Sequence, residues 1–386
     1  MCTLFALVQA FVHKVELWND NLCSIDTPNV HVRFSHRHPL ILCIASRSPF
    51  QLANQLDVVY HHILSLLSKP QLQKAYELRG ANYDLRKLLR GRDRCLYACL
   101  RSWRSDPAVF MSGVRVLPMA YNNRDFIAST IASTVNGAKL TDGNVIFGIV
   151  LAHRQLVAYV RMKKYLLAPC DLHVLINIIH GNNIFKDVSG AVHPICLPRF
   201  NNQGFLYAHV SYLWDDSEAV LVLISISKDS LSTITEQILG KLNSSKNCQS
   251  LRDEIKKPDS FNLQQIGCPD LWHFVYNNTS SSQVCSAMFG KPYITTDERA
   301  ELIEQYSGLH HYVQHSEAQN HRLKCLFLVK GSCTIYVRIN PSYTLYCTFS
   351  PLVRRSTVAT SAEKLVKALK KEEDRFLHAV NNSFIN

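Results

Sequence analysis

The sequence holds no GxxxxGK[ST] loop, no GxSxG elbow, no HExxH and no CxxC pair. Each absence removes a chemistry. Without the first there is no glycine-rich cradle for nucleotide phosphates; the nearest stretch, "FGKP", has Pro292 where the hydroxyl residue should stand. Without the second there is no nucleophile on a strand-to-helix elbow. The third and fourth are common signatures of zinc. Carboxylates are present, but no pair sits in a recognisable acid/base setting, so nothing argues for an enzyme or a cofactor. Long apolar runs are missing too, and none approaches the length of a membrane span. The apolar opening "MCTLFALVQAFVHKVELW" lacks the basic start and the small-residue cleavage site of a secretory signal.

Acidic residues are in deficit. The 386 residues carry 30 Asp+Glu against 42 Lys+Arg, a net charge of +12. That excess suits an acidic partner: nucleic acid, an anionic membrane face or an acidic protein. The length suggests about two to four domains, and 47% hydrophobic residues suffice for several cores. The 13 cysteines are scattered, mostly in apolar runs such as Cys43 in "LILCIAS" and Cys347 in "LYCTFS". They read as reduced, buried thiols of a cytosolic protein.

Periodicity then divides the chain. In the middle, "NVIFGIVLAH" and "QLVAYVRMKKYLL" read as strands, and "PCDLHVLINIIHG" as a helix with Leu172, Leu175, Ile176 and Ile179 on one face. Three strands follow, "HPICLPRF", "GFLYAHVSYL" and "AVLVLISIS", the first two joined by a turn at Asn-Asn-Gln-Gly. Asp229 is placed to cap a second helix that buries Leu231, Ile234, Ile238 and Leu242. The order is ββαβββα. The last third repeats it: "PDLWHFVYNN", "SSSQVCSAMF", the helix "DERAELIEQYSGLHHYVQH", "KCLFLVK", "CTIYVRI", "YTLYCTFS" and a helix from Ser356 to Ala379. The first third gives αβββα, with a core helix over 3–18, strands near 21–27, 30–35 and 39–45, and a helix over 51–68. Residues 71–142 are mostly helical. The expected fold class is therefore α/β (α+β): three modules of one topology, each an antiparallel five-stranded sheet with helices, the first without its two opening strands. The expected domains are 1–142, 143–245 and 267–386, with a polar linker over 246–266.

Several features could carry function, and each has a plainer reading. "CLPRFNNQGFLYAHVSYL" matches an RNA-recognition octamer at Gly204, Phe205 and Tyr207 but fails at Gln203, Leu206, Ala208 and Val210. Sheet packing explains its aromatics as well, with Arg199 and His209 at the rim of a hairpin or facing a partner subunit, and no nucleic-acid partner is expected. His311 and His315 stand four apart on a helix, and His36 and His38 lie close together. A metal needs more ligands than either pair supplies. Arg86, Lys87, Arg90, Arg92 and Arg94 form one basic run; Lys364, Lys367, Lys370 and Lys371 form another. Both are candidate contacts for anionic lipid, where each residue contributes about 1 kcal/mol; solvated helix faces are the alternative.

The segments "ANYDLRKLLRG", "LVAYVRMKKYLLAPCDLHVLINIIHG", "CLPRFNNQGFLYAHVSYL", "LYCTFSPLV" and "KKEEDRFL" together resemble the Mon (SAND) family of vacuolar fusion proteins. The resemblance covers nearly the whole chain. It implies three longin/roadblock-like domains, a heterodimer with a Ccz-family longin subunit, and guanine-nucleotide exchange on the late-endosomal/vacuolar Rab GTPase. It also implies a cytosolic protein recruited to phosphoinositide-containing, acidic membranes of the late endosome, vacuole or lysosome. An exchange factor needs no nucleophile and no metal, only a broad surface that prefers the nucleotide-free GTPase. On this resemblance Trp18 and Arg33 are candidate GTPase or partner contacts. Family members carry the two opening strands that the first module here is expected to lack, since Met1 falls inside its first helix. A longin adaptor or scaffold without exchange activity is the alternative, and an RNA-binding protein a distant third.

Overall fold

The computed structural model describes residues 2–80, 83–138, 144–181, 190–257, 261, 263–378 and 383–384. The first third runs α1 (Cys2–Glu16), β1 (Ser24–Asp26), β2 (His31–Arg37), β3 (Leu40–Ser46) and α2 (Leu52–Leu67). The strands form an antiparallel sheet in the order β1-β2-β3. Helices follow: α3 (Lys69–Arg79), a 3-10 turn (Leu85–Leu89), α4 (Asp93–Ser105), α5 (Pro107–Phe110) and α6 (Tyr121–Ala138). A short strand, β4 (Val114–Arg115), interrupts them. Asp106 starts α5 by accepting from Ala108 N, ahead of Pro107 at the first helical position.

The second module runs β5 (Val145–Ala152), β6 (Gln155–Met162), α7 (Pro169–Gly181), β7 (Ala191–Leu197), β8 (Asn201–Tyr212), β9 (Val220–Ser225) and α8 (Leu231–Ser244). The third runs β10 (Leu271–Asn278), β11 (Gln283–Ser286), α10 (Thr296–Ala318), β12 (Cys325–Val329), β13 (Thr334–Asn340), β14 (Tyr343–Phe349) and α11 (Arg355–Lys371), numbered past a helix α9 described below. The strand orders are β6-β5-β9-β8-β7 and β11-β10-β14-β13-β12. Numbered within each module, both read 2-1-5-4-3, so the expected repeat is one of topology. Each central strand, β9 and β14, is buried throughout because helices cover both faces of its sheet. In the second module α7 packs on one face, while α6 and α8 pack on the other.

Several local expectations are corrected. Residues 246–266, expected as a linker, carry α9 (Cys248–Lys256), whose Leu251 and Ile255 enter the second core. Two apolar residues four apart suffice to anchor a short polar helix. Helix α6, assigned to the first domain, buries Ile127, Ile131 and Val135 in that same core. It comes so close to β5 that a Cβ on Gly148 would lie 2.6 Å from Ile131 Cγ2. The β7–β8 turn is Pro198–Phe200, and Asn201 to Gly204 already belong to β8. Buried Asp171 fixes that turn by accepting from Arg199 N and Phe200 N. Ser230, not Asp229, precedes α8, and Asp229 accepts from Ser227 Oγ instead. The closing helix ends at Lys371, followed by a short turn of helix α12 (Glu373–Phe376). Ala379 lies outside the described residues.

The modules are stitched through one another. β4 pairs in parallel with β11, and the next residue, Val116, bridges to Leu156 of β6. β15 (Ser383–Phe384) pairs in parallel with β6. Second strands β6 and β11 would otherwise be open edges; each is covered by chain from another module. Buried Arg124 donates to the carbonyls of Leu117, Asp374, Arg375 and Leu377, tying α6 to the end of the third module. Burial pushes its guanidinium pKa down to about 10. His378 Nε2 accepts from Tyr159 N of β6, and Gln283 exchanges hydrogen bonds with the His378 backbone.

Candidate interaction surface

In an antiparallel pair, directly opposed residues share a face. Arg33 opposes Ile44, Ser35 opposes Leu42 and Arg37 opposes Leu40. This face meets α2: Arg37 Nη2 donates to Asp57 at 2.6 Å, and Leu40 and Leu42 pack on Ile63 and Leu64. On the other face Phe34 is buried, while Ile41 is 45% exposed and Cys43 and Ala45 are exposed. The outer edge of β3 has no partner strand among the described residues. The first module therefore presents an apolar half-face beside unpaired backbone groups. Such an edge is a template for another strand.

Helix α1 is amphipathic, as its spacing predicts, but it is not the core helix expected. Val12 is 1% exposed, with Val8 and Val15 half-buried beside it. Leu7 and Phe11, on the same apolar arc, are 55% and 51% exposed. Nothing among the described residues covers that half. Trp18, in the turn after α1, is 69% exposed, with Lys14 Nζ 5.9 Å from its ring. Arg33 lies on the α2-facing side of β2, where Nη1 donates to Asp26 at 2.7 Å. Arg33 first and His31 second hold the Asp26 carboxyl below its ordinary range. Trp18 thus offers an open contact, whereas Arg33 is already engaged.

Arg86, Lys87, Arg90, Arg92 and Arg94 are all exposed, along the 3-10 turn and the start of α4. Arg86 forks onto Asp84 and lies 4.5 Å from the Phe5 ring of α1. This contact joins the basic run to the apolar helix, which spacing alone could not foresee. Lys87 stands over Tyr83, and Arg92 Nη1 donates to the Leu66 carbonyl. Lys364, Lys367, Lys370 and Lys371 line the exposed side of α11, opposite buried Val358, Ala362, Leu365 and Leu369. The two basic sets stand on different modules.

The histidines do not converge. His311 and His315 stack at 6.4 Å, and among the described residues no three His, Cys, Asp or Glu are grouped to hold a metal. Arg199 is exposed, but His209, expected at the rim, is buried and meets Thr235 Oγ1 of α8 at 3.0 Å. It sits on the inner side of β8 because the hairpin turn falls earlier than Asn-Asn-Gln-Gly. Cys43, expected to be buried, is exposed because β3 is uncovered on that face. The aromatic Phe200 packs against Phe147 and Tyr165, as sheet packing requires.

Sequence reading missed a buried polar junction between the first two modules. Asn177 of α7 donates to His62 Nε2 of α2 at 2.9 Å and accepts from Arg154. With Nε2 accepting, His62 carries its proton on Nδ1 and donates to the Val58 carbonyl at 2.8 Å. Burial pushes its pKa down to about 4, so the ring is neutral. Neighbouring His173 meets the Gly113 carbonyl at 2.7 Å. The signal for this junction was His173 and Asn177, two polar residues four apart on a helix whose long side chains are otherwise mostly apolar.

Against this geometry stand the comparisons with known proteins. Models of the first, second and third longin domains of FUZ, MON1 and HPS1 match residues 1–98, 143–238 and 270–373. The chain is 32% identical over 381 residues to vacuolar fusion protein MON1 homolog A of Gallus gallus, covering 97% of this chain and 67% of that protein. The chain belongs to the Mon (SAND) family of vacuolar fusion proteins. Two further members are MON1 homolog A of Homo sapiens, 32% identical over 97% of this chain, and Protein SAND of Takifugu rubripes, 31% identical over 97%. The chain spans 57% and 71% of those two relatives. Its three modules are longin domains, and no helix among the described residues is long and apolar enough to cross a membrane.

Proposed function

We propose that this chain is one subunit of a heterodimeric guanine-nucleotide exchange factor. Its partner is a Ccz-family longin subunit, and its target is the Rab GTPase of the late endosome and vacuole. Family membership supports a place in vacuolar fusion and vesicle trafficking. The observation that carries the finer reading is the first longin domain: a sheet whose β3 edge has no partner strand among the described residues, an exposed apolar half-face and a half-covered amphipathic helix. In the strand order of the other two modules that edge is where a first strand lies, so a surface of that kind is completed by further chain, of this protein or of another. Exchange fits it because the chemistry is non-covalent: tighter binding of the nucleotide-free GTPase lowers the barrier to release. No catalytic residue or cofactor is needed. The exposed basic sets on the first and third modules supply peripheral attachment to an anionic membrane from the cytosol.

The test is release of labelled guanine nucleotide from the late-endosomal Rab, with this chain alone and with its Ccz partner. Acceleration only in the pair is expected. Replacing Trp18 by alanine should slow it more than replacing Arg33, which Asp26 holds. No acceleration by the pair would leave the adaptor reading, a longin scaffold without exchange activity.

A further inference from the structure

A second kind of site lies where the first and second modules meet. A cavity of about 480 Å3 is walled by the β2–β3 turn, α2, the first turn of α3 and the β7–β8 turn. Arg37, Lys69 and Arg199 line it from three different segments, with His38, His61 and Tyr60 between them. Of these three cations, Arg37 alone has a carboxylate within ion-pair distance among the described residues, Asp57 at 2.6 Å. Asp171, behind the β7–β8 turn, has both oxygens on backbone amides. His61 records the local field: burial first, and then the charges of Arg199 and Arg37, push its pKa down despite the Asp57 carbonyl bonded to Nδ1. Lys69 is also the first residue of an 11-residue helix, so the amino end of α3 adds positive potential to the same space.

We propose that this cavity binds a small anion carrying two or more phosphate groups. Guanidinium groups match phosphate oxygens with paired hydrogen bonds, and lysine adds a point charge. Cations on three separate walls need a ligand with several anionic corners. The volume lies within the range of roughly 300–1,000 Å3 usual for small-molecule sites, which suits a ring-sized polyphosphate rather than a polymer. The basic runs at 86–94 and on α11 differ, being exposed ridges without walls. A ligand here would clamp the first sheet to the β7–β8 hairpin. The inference stands apart from the exchange reading, and neither failure entails the other.

Titration calorimetry of the full chain with inositol hexakisphosphate tests it, with inorganic phosphate as the single-phosphate control. One saturable site is expected, with inorganic phosphate at least about a hundredfold weaker and affinity falling as salt rises. Lys69→Gln and Arg199→Gln should each weaken binding about tenfold, while Lys330→Gln, at an exposed site on the third module, leaves it unchanged. The unliganded thermal midpoint of each variant reports folding; should Arg199→Gln unfold, half-buried Lys69 still gives the answer alone. Vesicles of phosphatidylcholine with phosphorylated phosphatidylinositol would displace the probe if the natural source is a lipid headgroup. Saturable binding that such vesicles leave intact assigns a soluble polyphosphate. The proposal is overturned by the absence of saturable binding, or by binding that Lys69→Gln leaves intact.

Discussion

Strands β3, β9 and β14 hold the same place in their modules, last before the closing helix, and their sequences are alike: "LILCIAS", "VLVLIS" and "YTLYCTF". Their fates differ. Every residue of β9 and β14 is buried, whereas in β3 exposed residues alternate with half-buried ones. β9 lies between β5 and β8, and β14 between β10 and β13; among the described residues β3 has only β2. Burial is therefore not a property of the strand's own residues. It comes from a neighbour on each side and a helix on each face. The same comparison separates the helices: α7 is buried almost all round, while α1 keeps a single buried valine among its described residues.

Breaking the closed side should have the largest effect. Arg124→Leu takes the shared guanidinium donor away from four carbonyls at the joint between the second and third modules, of which Arg375 keeps Met119 N, and should lower unfolding free energy by about 3–5 kcal/mol in urea denaturation. Next comes a matched pair in the two strands. Leu221→Ala in β9 should cost about 2–5 kcal/mol, and Ile41→Ala in β3 less than about 1 kcal/mol. Equal losses would mean that β3 is covered in solution, by a partner or a second copy. If the Ccz partner covers this face, adding it should enlarge the Ile41→Ala penalty and leave the Leu221→Ala penalty unchanged.

Acid should act through the closed regions. Burial pushes the pKa of His62 down to about 4, of His273 to about 3 and of His310 to about 4, from 6.5. Each binds its proton more readily when unfolded. Stability from these neutral rings is present above about pH 6.5 and is lost as pH falls toward 4, at up to about 3 kcal/mol per ring. Urea midpoints should fall through that window, and His273→Phe, which keeps a ring against Phe289, should flatten the slope. A slope unchanged by that substitution would remove His273 from the account. A smaller loss, about 1–3 kcal/mol, is expected for Asn177→Ala, which strips His62 Nε2 of its donor. The smallest is Trp18→Ala, within about 0.5 kcal/mol of the native chain, so that any effect on exchange reports contact and not folding.

Much of this was legible in the sequence. The apolar stripe Leu172, Leu175, Ile176 and Ile179 gave α7, and Leu231, Ile234, Ile238 and Leu242 gave α8, because helical spacing fixes which residues share a face. The doubled ββαβββα order was legible for the same reason. The polar stretch around Leu251 and Ile255 was not, since two apolar residues are too few to announce a helix. Nor was the destination of α6, whose Ile127, Ile131 and Val135 make an apolar stripe without naming the sheet that receives it. In the candidate surface, Trp18 was an open aromatic as expected. Arg33 was legible as a charge but not as a charge already paired with Asp26, a residue seven positions away across a strand pair.

What the chain's order of residues settled alone was local: which segments coil or extend, which side of each is apolar, and that one topology recurs. These follow from short-range sterics and spacing. Which apolar sides find cover was decided only in three dimensions, through β4 on β11, β15 on β6, Arg124 on the far carbonyls, and, among the described residues, no strand on the outer edge of β3. Those pairings join residues far apart in sequence, and no local period encodes them. The cationic cavity has the same origin, since Arg37, Lys69 and Arg199 become neighbours only when two modules close on each other.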